Sequence, residues 1–170
     1  MDRIVTERLI LRRACEADLA AMHAVLSSPD ATRYWSTPAH RDVEQTREWL
    51  VAMITADPAT SDDFVIEREG RVIGKAGCFR LPEIGYILHP DHWRQGLAQE
   101  ALSAVLAYLF SRHPLPAVVA DVDPRNTASL RLLAKLGFTV SGRAQRTWFV
   151  GGEYCDSIYL TLSRPPEHED

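Results

Sequence analysis

The chain has 170 residues, of which 46% are hydrophobic and 25% are charged, and its formal net charge is -4. This length suits one domain with its own core, and so small an acidic charge gives no reason to expect nucleic acid or an acidic membrane as a partner. The three cysteines are dispersed, no HExxH motif is present, and the N-terminus is charged without a long apolar run. We therefore expect no disulfide framework, no metal site and no membrane span, and a cytoplasmic location.

The N-terminal part of the chain predicts one strand and two helices. Residues 8–13 (RLILRR) favour a strand, and the apolar spacing across residues 18–27 is typical of a helix. Residues 31–41 are mixed in character and are expected to form a loop. A second helix is expected to start at Asp42 and to end before Asp57-Pro58.

The middle of the chain predicts three strands and a helix, followed by a further strand. Two β-rich runs flank residues 69–71 (EGR), which indicates a hairpin. Residues 83–88 form the next predicted strand, the fourth from the N-terminus. Apolar residues on one face of residues 96–112 predict a helix, and the continuous apolar run at 117–122 is typical of a strand covered on both faces.

The C-terminal part predicts a short helix and a final hairpin. The helix spans residues 126–136, and a strand follows from 138 to about 149. Gly151-Gly152 turns the chain into a last strand at 154–162. The polar segment 163–170 is expected to be a frayed tail.

The predicted elements follow the order β α α β β β α β α β β. No repeat, low-complexity segment or internal linker interrupts them. Residues 1–170 are therefore expected to form a single α/β domain in which helices cover a central sheet.

The segment 84–102 (IGYILHPDHWRQGLAQEAL) joins a predicted strand to a predicted helix through a glycine. The first turn of a helix offers unpaired N–H groups and the positive end of the helix dipole, and glycine allows a phosphate to approach the backbone. Arg94 adds a charged donor. The segment lacks GxxxxGK[ST] and GxGxxG, which excludes a P-loop and a common dinucleotide fingerprint.

Three segments together resemble the GNAT superfamily of acyl-CoA N-acyltransferases: TERLILRRACEADLAAM, EIGYILHPDHWRQGLAQEAL and DVDPRNTASLRLLAKLGF. More narrowly, they are similar to the branch that holds the ribosomal-protein alanine N-acetyltransferases. The resemblance runs from about Thr6 to Leu162. It implies a single-domain fold with a mixed, mostly antiparallel sheet that is splayed at the fourth strand and flanked by helices. It also implies acetyl-CoA as co-substrate and no metal.

The resemblance further implies which residues bind the cofactor. The family's phosphate-loop pattern, Gln/Arg-x-x-Gly-x-Gly/Ala, falls on residues 93–98, where Gly96 and Ala98 match and Trp93 departs. Helix capping is an equal explanation for Asn126. The implied cofactor-binding residues are Ile87, Leu88, Trp93, Arg94, Gln95, Gly96, Leu97, Ala98, Asn126 and Ser129.

Two residues are implied to be catalytic. Glu83, at the start of the fourth strand, is the candidate general base, with a water molecule as the alternative. Ser129 is the candidate group that protonates or hydrogen-bonds the leaving thiolate, with a purely structural hydroxyl as the alternative. Tyr86, Tyr154 and Tyr159 are further possible acids.

The acceptor site is expected between the N-terminal helices and the last hairpin, with Trp35, Glu83 and Trp148 as substrate-binding residues. A protein N-terminal α-amine is the leading acceptor. A small amine (antibiotic, amino acid or polyamine) is the alternative and would favour acidic walls. A non-catalytic acyl-CoA-binding module and a simple interaction domain are the other classes, and a monomer or a homodimer is expected. Other candidate walls are Tyr34, Trp49 and Phe149, and candidate acidic residues are Asp62, Asp63 and Asp156.

Overall fold

The computed structural model describes residues 2–166, which form eight strands and four α-helices. The strands are β1 (Arg3–Val5), β2 (Ile10–Arg12), β3 (Asp62–Arg68), β4 (Arg71–Arg80), β5 (Glu83–Leu88), β6 (Ala117–Val122), β7 (Thr139–Val150) and β8 (Glu153–Ser163). The helices are α1 (Leu19–Leu26), α2 (Val43–Thr55), α3 (Leu97–Arg112) and α4 (Thr127–Lys135). In the described part of the chain, no helix is long and apolar enough to cross a membrane.

The eight strands form one sheet in the order β1-β2-β3-β4-β5-β6-β8-β7. Every neighbouring pair is antiparallel except β5 and β6, which run parallel. The sheet is therefore mixed and mostly antiparallel, which confirms the predicted fold class.

Strand β1 is absent from the predicted order of elements. Its three residues pair with β2, with Arg3 opposite Arg12 and Val5 opposite Ile10. Only the middle residue is partly buried, so this strand has no apolar run from which it could be recognised. As a result, the strand at 83–88 is the fifth of the sheet and not the fourth.

The two faces of the sheet pack against different helices. On one face, Ile84 and Leu88 of β5 belong to the core that α3 and α4 cover, together with Leu102 and Leu133. On the other face, Ile87 packs with residues of α1 and α2. Side chains of successive strand residues point to opposite faces, so β5 lies in the centre of a helix–sheet–helix sandwich.

The sheet opens between β5 and β6. Strand β5 pairs with β4 as far as Leu88, but it pairs with β6 at a single position, Glu83 opposite Val119. Beyond Glu83 the two strands diverge. The predicted splay is confirmed, and it leaves a gap beside β5 that leads toward the start of α3.

The last strand extends one residue into the segment that we expected to fray. Ser163 ends β8, and the Arg164 backbone N–H donates to the Pro116 carbonyl at 2.8 Å. The Arg164 side chain also donates to the carbonyl oxygens of Leu115 and Phe110, both at 2.8 Å. Any frayed tail therefore starts after Arg164, and its residues 167–170 lie outside the described part of the chain.

Candidate functional site

The backbone groups of β5 alternate between β4 and the gap. The N–H of His89 donates to the Ile73 carbonyl on β4 at 2.8 Å, and Ile87 lies opposite Lys75 in the same register. In an antiparallel pair, alternate residues bond the same neighbour. Ile87 therefore directs its backbone groups to β4, and Tyr86 and Leu88 direct theirs to the gap. This register contradicts the prediction that the Ile87 backbone binds the cofactor, and it directs the backbone groups of Tyr86 to the gap instead.

The loop before α3 has an unusual backbone conformation. Arg94 and Gly96 both have left-handed φ values, 58° and 75°. Gly96 is the N-cap of α3 and provides no side-chain cap. Among residues 2–166, no group accepts a hydrogen bond from the backbone N–H groups of residues 94–98. These free donors lie at the positive end of a 16-residue helix, an arrangement that suits a diphosphate.

The Trp93 side chain forms a hydrogen bond that joins the loop before α3 to β5. Its indole Nε1 donates to the Leu88 carbonyl at 3.0 Å and so ties the loop to the end of β5. The departure of Trp93 from the family pattern is therefore compatible with a backbone cradle, because its side chain bonds the end of β5 and leaves the loop N–H groups free.

Ser129 meets Tyr86 across the gap. The Ser129 hydroxyl, on the first turn of α4, hydrogen-bonds the Tyr86 hydroxyl on β5. Burial raises the pKa of Tyr86 to about 12, although its hydrogen bond with Ser129 works in the opposite direction. Tyr86 is therefore neutral at physiological pH and retains a proton that it can donate.

Asn126 caps helix α4. Its side-chain Oδ1 accepts a hydrogen bond from the Ser129 N–H at 3.2 Å. The capping explanation is thus confirmed, and the cap also fixes the first turn on which Ser129 lies. A direct contact between Asn126 and the cofactor stays a prediction.

Glu83 lies at the point where β5 and β6 part. Burial and the nearby carboxylate of Asp121 raise the pKa of Glu83, while Arg80 acts in the opposite direction. Asp121 accepts a hydrogen bond from the Trp148 indole at 2.9 Å. Two carboxylates and an aromatic side chain from three strands therefore meet at this end of the gap.

A cleft of about 910 Å³ opens beside Glu83. The cleft is lined by Glu83 and by three tryptophans, Trp35, Trp49 and Trp148. Both tryptophans that we predicted to bind substrate, Trp35 and Trp148, are therefore in its walls. Phe149 does not line the cleft; it is 65% exposed and pairs with Tyr154 at 5.0 Å between ring centroids. Among the tyrosines considered as acids, Tyr154 therefore lies away from the site, and Tyr86 is the one in contact with Ser129.

The cleft is rich in carboxylates, and some of them are neutralised by cations. Asp63 and Lys75 form a buried ion pair at 2.9 Å. Arg125 bridges Asp123 at 2.8 Å and Glu153 at 3.1 Å.

Three other carboxylates of the cleft have no such cation. In the described residues, no Lys or Arg forms an ion pair with Glu83, Asp121 or Asp156, and all three line the cleft. Asp62, a further candidate, instead contacts His113 at 2.6 Å, away from this cleft. Residues 2–166 contain no group of three metal-ligating side chains that could hold an ion.

Sequence reasoning missed Asp121 and did not connect Tyr86 with Ser129. The signal for Asp121 is a single carboxylate in the otherwise apolar run of residues 117–122. Residues 86 and 129 are 43 positions apart, so only the fold brings them together.

Comparison with known proteins supports the same fold and shows the family. A family model described as "Acetyltransferase (GNAT) domain" matches residues 8–139. The uncharacterized N-acetyltransferase YoaA of Bacillus subtilis is 33% identical over 175 residues, which cover 95% of this chain and 97% of that protein. An acetyltransferase structure from Bacillus anthracis superposes with a TM-score of 0.83 at 26% identity, covering 96% of this chain and 99% of that one.

Other similar proteins are named for different acceptors. Spermidine N(1)-acetyltransferase of Escherichia coli is 26% identical over 161 residues, 89% of this chain and 84% of that protein. The ribosomal protein uS5-alanine N-acetyltransferase of E. coli is 30% identical over 89 residues, 52% of this chain and 46% of that protein. A spermidine N-acetyltransferase from Vibrio cholerae, solved with CoA and spermine, has a TM-score of 0.81 at 21% identity, covering 94% and 97% of the two chains. The chain belongs to the GNAT family and is an N-acetyltransferase.

Proposed function

We propose that the protein transfers the acetyl group of acetyl-CoA directly to a primary amine, and that this amine is the α-amine of a protein or peptide N-terminus. The observation that carries the proposal is the gap between β5 and β6. It connects the free backbone N–H groups of residues 94–98 with the carboxylate-lined cleft at Glu83. A long thioester can therefore bind with its diphosphate at one end and its acetyl group at the other.

The cofactor's polar groups have matching donors along this path. The free N–H groups of residues 94–98 would bind the diphosphate at the positive end of α3. The gap-facing backbone groups of Tyr86 and the N–H of Leu88 would pair with the pantetheine arm in the way that another strand would, while the Leu88 carbonyl accepts from the Trp93 indole. The fit requires no metal ion, because the loop amides and the helix dipole supply the positive potential.

The cleft and the gap beside β5 together would supply groups for each step of the transfer. The ammonium form of the acceptor would lose a proton to Glu83, directly or through a water molecule, and the neutral amine would attack the thioester carbon. A gap-facing backbone N–H of β5 would stabilise the oxyanion. As the carbon–sulfur bond breaks, the thiolate would receive a proton from the Tyr86–Ser129 pair. The attacking nitrogen would release its second proton to solvent and the pair would recover one from solvent, which leaves an amide and free CoA.

An α-amine suits this base better than a lysine side chain does. An α-amine has a pKa of about 7.7–8.0 and a lysine about 10.4, so near neutral pH a far larger fraction of the α-amine is already uncharged. Glu83 is a carboxylate with a raised pKa, which makes it a somewhat stronger base than an exposed glutamate.

A small polycationic amine is the second candidate acceptor. Asp121 and Asp156 line the cleft without forming an ion pair in the described residues, and carboxylates of this kind favour a substrate with more than one positive charge. The tryptophans of the same cleft can stack on a cation or cover an alkyl chain. Two similar proteins are named for spermidine.

The test is acetyl transfer from acetyl-CoA to matched acceptors. Peptides with a free or a formylated N-terminus and spermidine are incubated with the enzyme, and CoA release and product mass are followed. We expect the free α-amine to be acetylated and the formylated peptide to be inert. Faster acetyl transfer to spermidine than to the free peptide would make a small polycationic amine, and not a protein N-terminus, the acceptor. No transfer to any amine, together with no binding of acetyl-CoA, would reject the proposal.

A further inference from the structure

The segment between β1 and β2 is bonded to the start of α3. The Arg8 guanidinium donates through Nε to Glu100 Oε2 at 2.7 Å and through Nη1 to the Gln95 carbonyl at 2.8 Å. The Arg8 backbone N–H also donates to Glu100 Oε1 at 2.8 Å. The Thr6 hydroxyl donates to the same oxygen at 2.6 Å. One carboxylate and one carbonyl therefore anchor four hydrogen bonds from this short segment.

The bond to the Gln95 carbonyl determines the direction of the next N–H group. In a trans peptide, the carbonyl and the following N–H point in opposite directions. Because Arg8 holds the Gln95 carbonyl on its own side, the Gly96 N–H is turned away from Arg8 and stays free. The left-handed φ values of Arg94 and Gly96 on either side of Gln95 complete this orientation.

Arg8 also neutralises a charge that would otherwise weaken the anion site. Glu100 lies in the first turn of α3, close to the free N–H groups, and its side chain is only 16% exposed. Burial tends to raise its pKa, but hydrogen bonds from Thr6 and Arg8 outweigh that effect, and its pKa is lowered. Glu100 is therefore ionised, and without Arg8 it would repel a diphosphate at the same helix end.

Arg68 offers a matched comparison. Its Nη1 donates to the Gln95 side-chain Oε1 at 2.8 Å. Arg68 therefore contributes a positive charge and a contact at the same loop residue, but it does not contact the Gln95 carbonyl and does not orient the peptide.

We infer that Arg8 is a positioning residue for the cofactor: it orients the Gln95–Gly96 peptide and neutralises Glu100, so that the loop before α3 accepts a diphosphate. This inference rests on the proposed function, because it takes the loop to be the diphosphate site. Arg8 acts through the loop backbone and needs no contact with the cofactor itself.

The experiment compares two ligands that share the thioester arm. The Kd of acetyl-CoA is measured by calorimetry, and that of S-acetylpantetheine, which has no phosphate, by ligand-observed NMR. Both are measured with the unchanged protein and with Arg8→Met, Arg8→Lys and Arg68→Met. Thermal unfolding of each variant without ligand accompanies the titrations.

We expect Arg8→Met to weaken acetyl-CoA binding about 10- to 100-fold, the range for losing hydrogen bonds that involve charged groups. The Kd of S-acetylpantetheine should change less than about twofold, because this ligand has no phosphate and contacts β5 but not the loop before α3. Arg8→Lys should restore little, since a single ammonium cannot reproduce the planar fork that bonds Glu100 and Gln95 together. Arg68→Met should have a clearly smaller effect than Arg8→Met.

Three results would overturn the inference. The first is an acetyl-CoA affinity that is equal in Arg8→Met and the unchanged protein. The second is an equal loss of affinity for acetyl-CoA and S-acetylpantetheine, which would indicate a general structural role. The third is an equal loss of acetyl-CoA affinity in Arg8→Met and Arg68→Met, which would show that only the net charge at the loop matters. If the unchanged protein did not bind acetyl-CoA, the proposed function would fail first, and this inference with it. Arg8→Lys keeps the charge and decides the question even if Arg8→Met does not fold.

Discussion

Replacing Gly96 by alanine isolates the conformation of the loop before α3. Gly96 has a φ of 75°, and a Cβ there would meet only Arg8 Nη2, at 3.5 Å, which is an ordinary contact distance. The cost of the substitution is therefore backbone strain and not a steric clash. A non-glycine residue in the left-handed region costs about 1–2 kcal/mol, and the reduced entropy of the unfolded chain offsets about 0.4–1 kcal/mol of that in stability.

The strain appears in cofactor binding if the loop relaxes when it is empty. Binding must then return residue 96 to the left-handed region, so that up to about 1–2 kcal/mol is lost from the binding free energy. This corresponds to an acetyl-CoA affinity about 5- to 30-fold weaker. The assay is a calorimetric titration with acetyl-CoA, accompanied by thermal unfolding without ligand.

Gly70→Ala is the matched control. Gly70 has the same φ of 75°, and no atom lies within 4 Å of a Cβ built there, but it belongs to the turn between β3 and β4. We expect a loss of affinity in Gly96→Ala alone, and a loss of unliganded stability there that is no larger than in Gly70→Ala, because the empty loop relaxes. Unchanged affinity in Gly96→Ala would refute the expected relaxation of the empty loop, and equal losses of affinity in both variants would refute the assignment of the diphosphate to this loop.

Four further predictions concern the cleft and the neighbouring Tyr86–Ser129 pair. Glu83→Gln should lower kcat about 100-fold or more, the usual contribution of a general base. Asp121→Asn should move the acid limb of the pH profile of kcat/KM to lower pH, because removing the Asp121 charge lowers the raised pKa of Glu83. If the limb did not move, it would not report the ionisation of Glu83. Tyr86→Phe should slow transfer from acetyl-CoA more than from a thioester of a more acidic thiol, and equal slowing would exclude Tyr86 as a proton donor. Lys75→Met should destabilise the fold by about 3–5 kcal/mol in urea unfolding, since it removes the cation that pairs with the Asp63 carboxylate at 3% side-chain exposure; a loss below about 1 kcal/mol would contradict that.

Most of the architecture could be predicted from local patterns. The apolar periodicity of residues 97–112 and the continuous apolar run at 117–122 correctly indicated α3 and β6. Strand β1 was missed because three residues with one partly buried side chain carry no period. The splay beside β5 came from resemblance, since no local pattern shows where two strands diverge.

The site was predictable only where one segment contains it. The loop before α3 is continuous in sequence, so its glycine and free N–H groups could be anticipated. The bond between Arg8 and the Gln95 carbonyl joins residues 87 positions apart, and the Tyr86–Ser129 pair joins residues 43 apart. Asp121 acquires its importance from the neighbouring strand end at Glu83. Such contacts depend on the assembled sheet, and propensity or periodicity does not encode them.

The most direct test of the account is a crystal structure with CoA bound. The account predicts the diphosphate on the N–H groups of residues 94–98, the pantetheine arm paired with the gap-facing groups of Tyr86 and the Leu88 N–H, and the sulfur beside Ser129 near the Glu83 cleft. CoA bound on another surface, or bound with its thiol pointing away from that cleft, would contradict it.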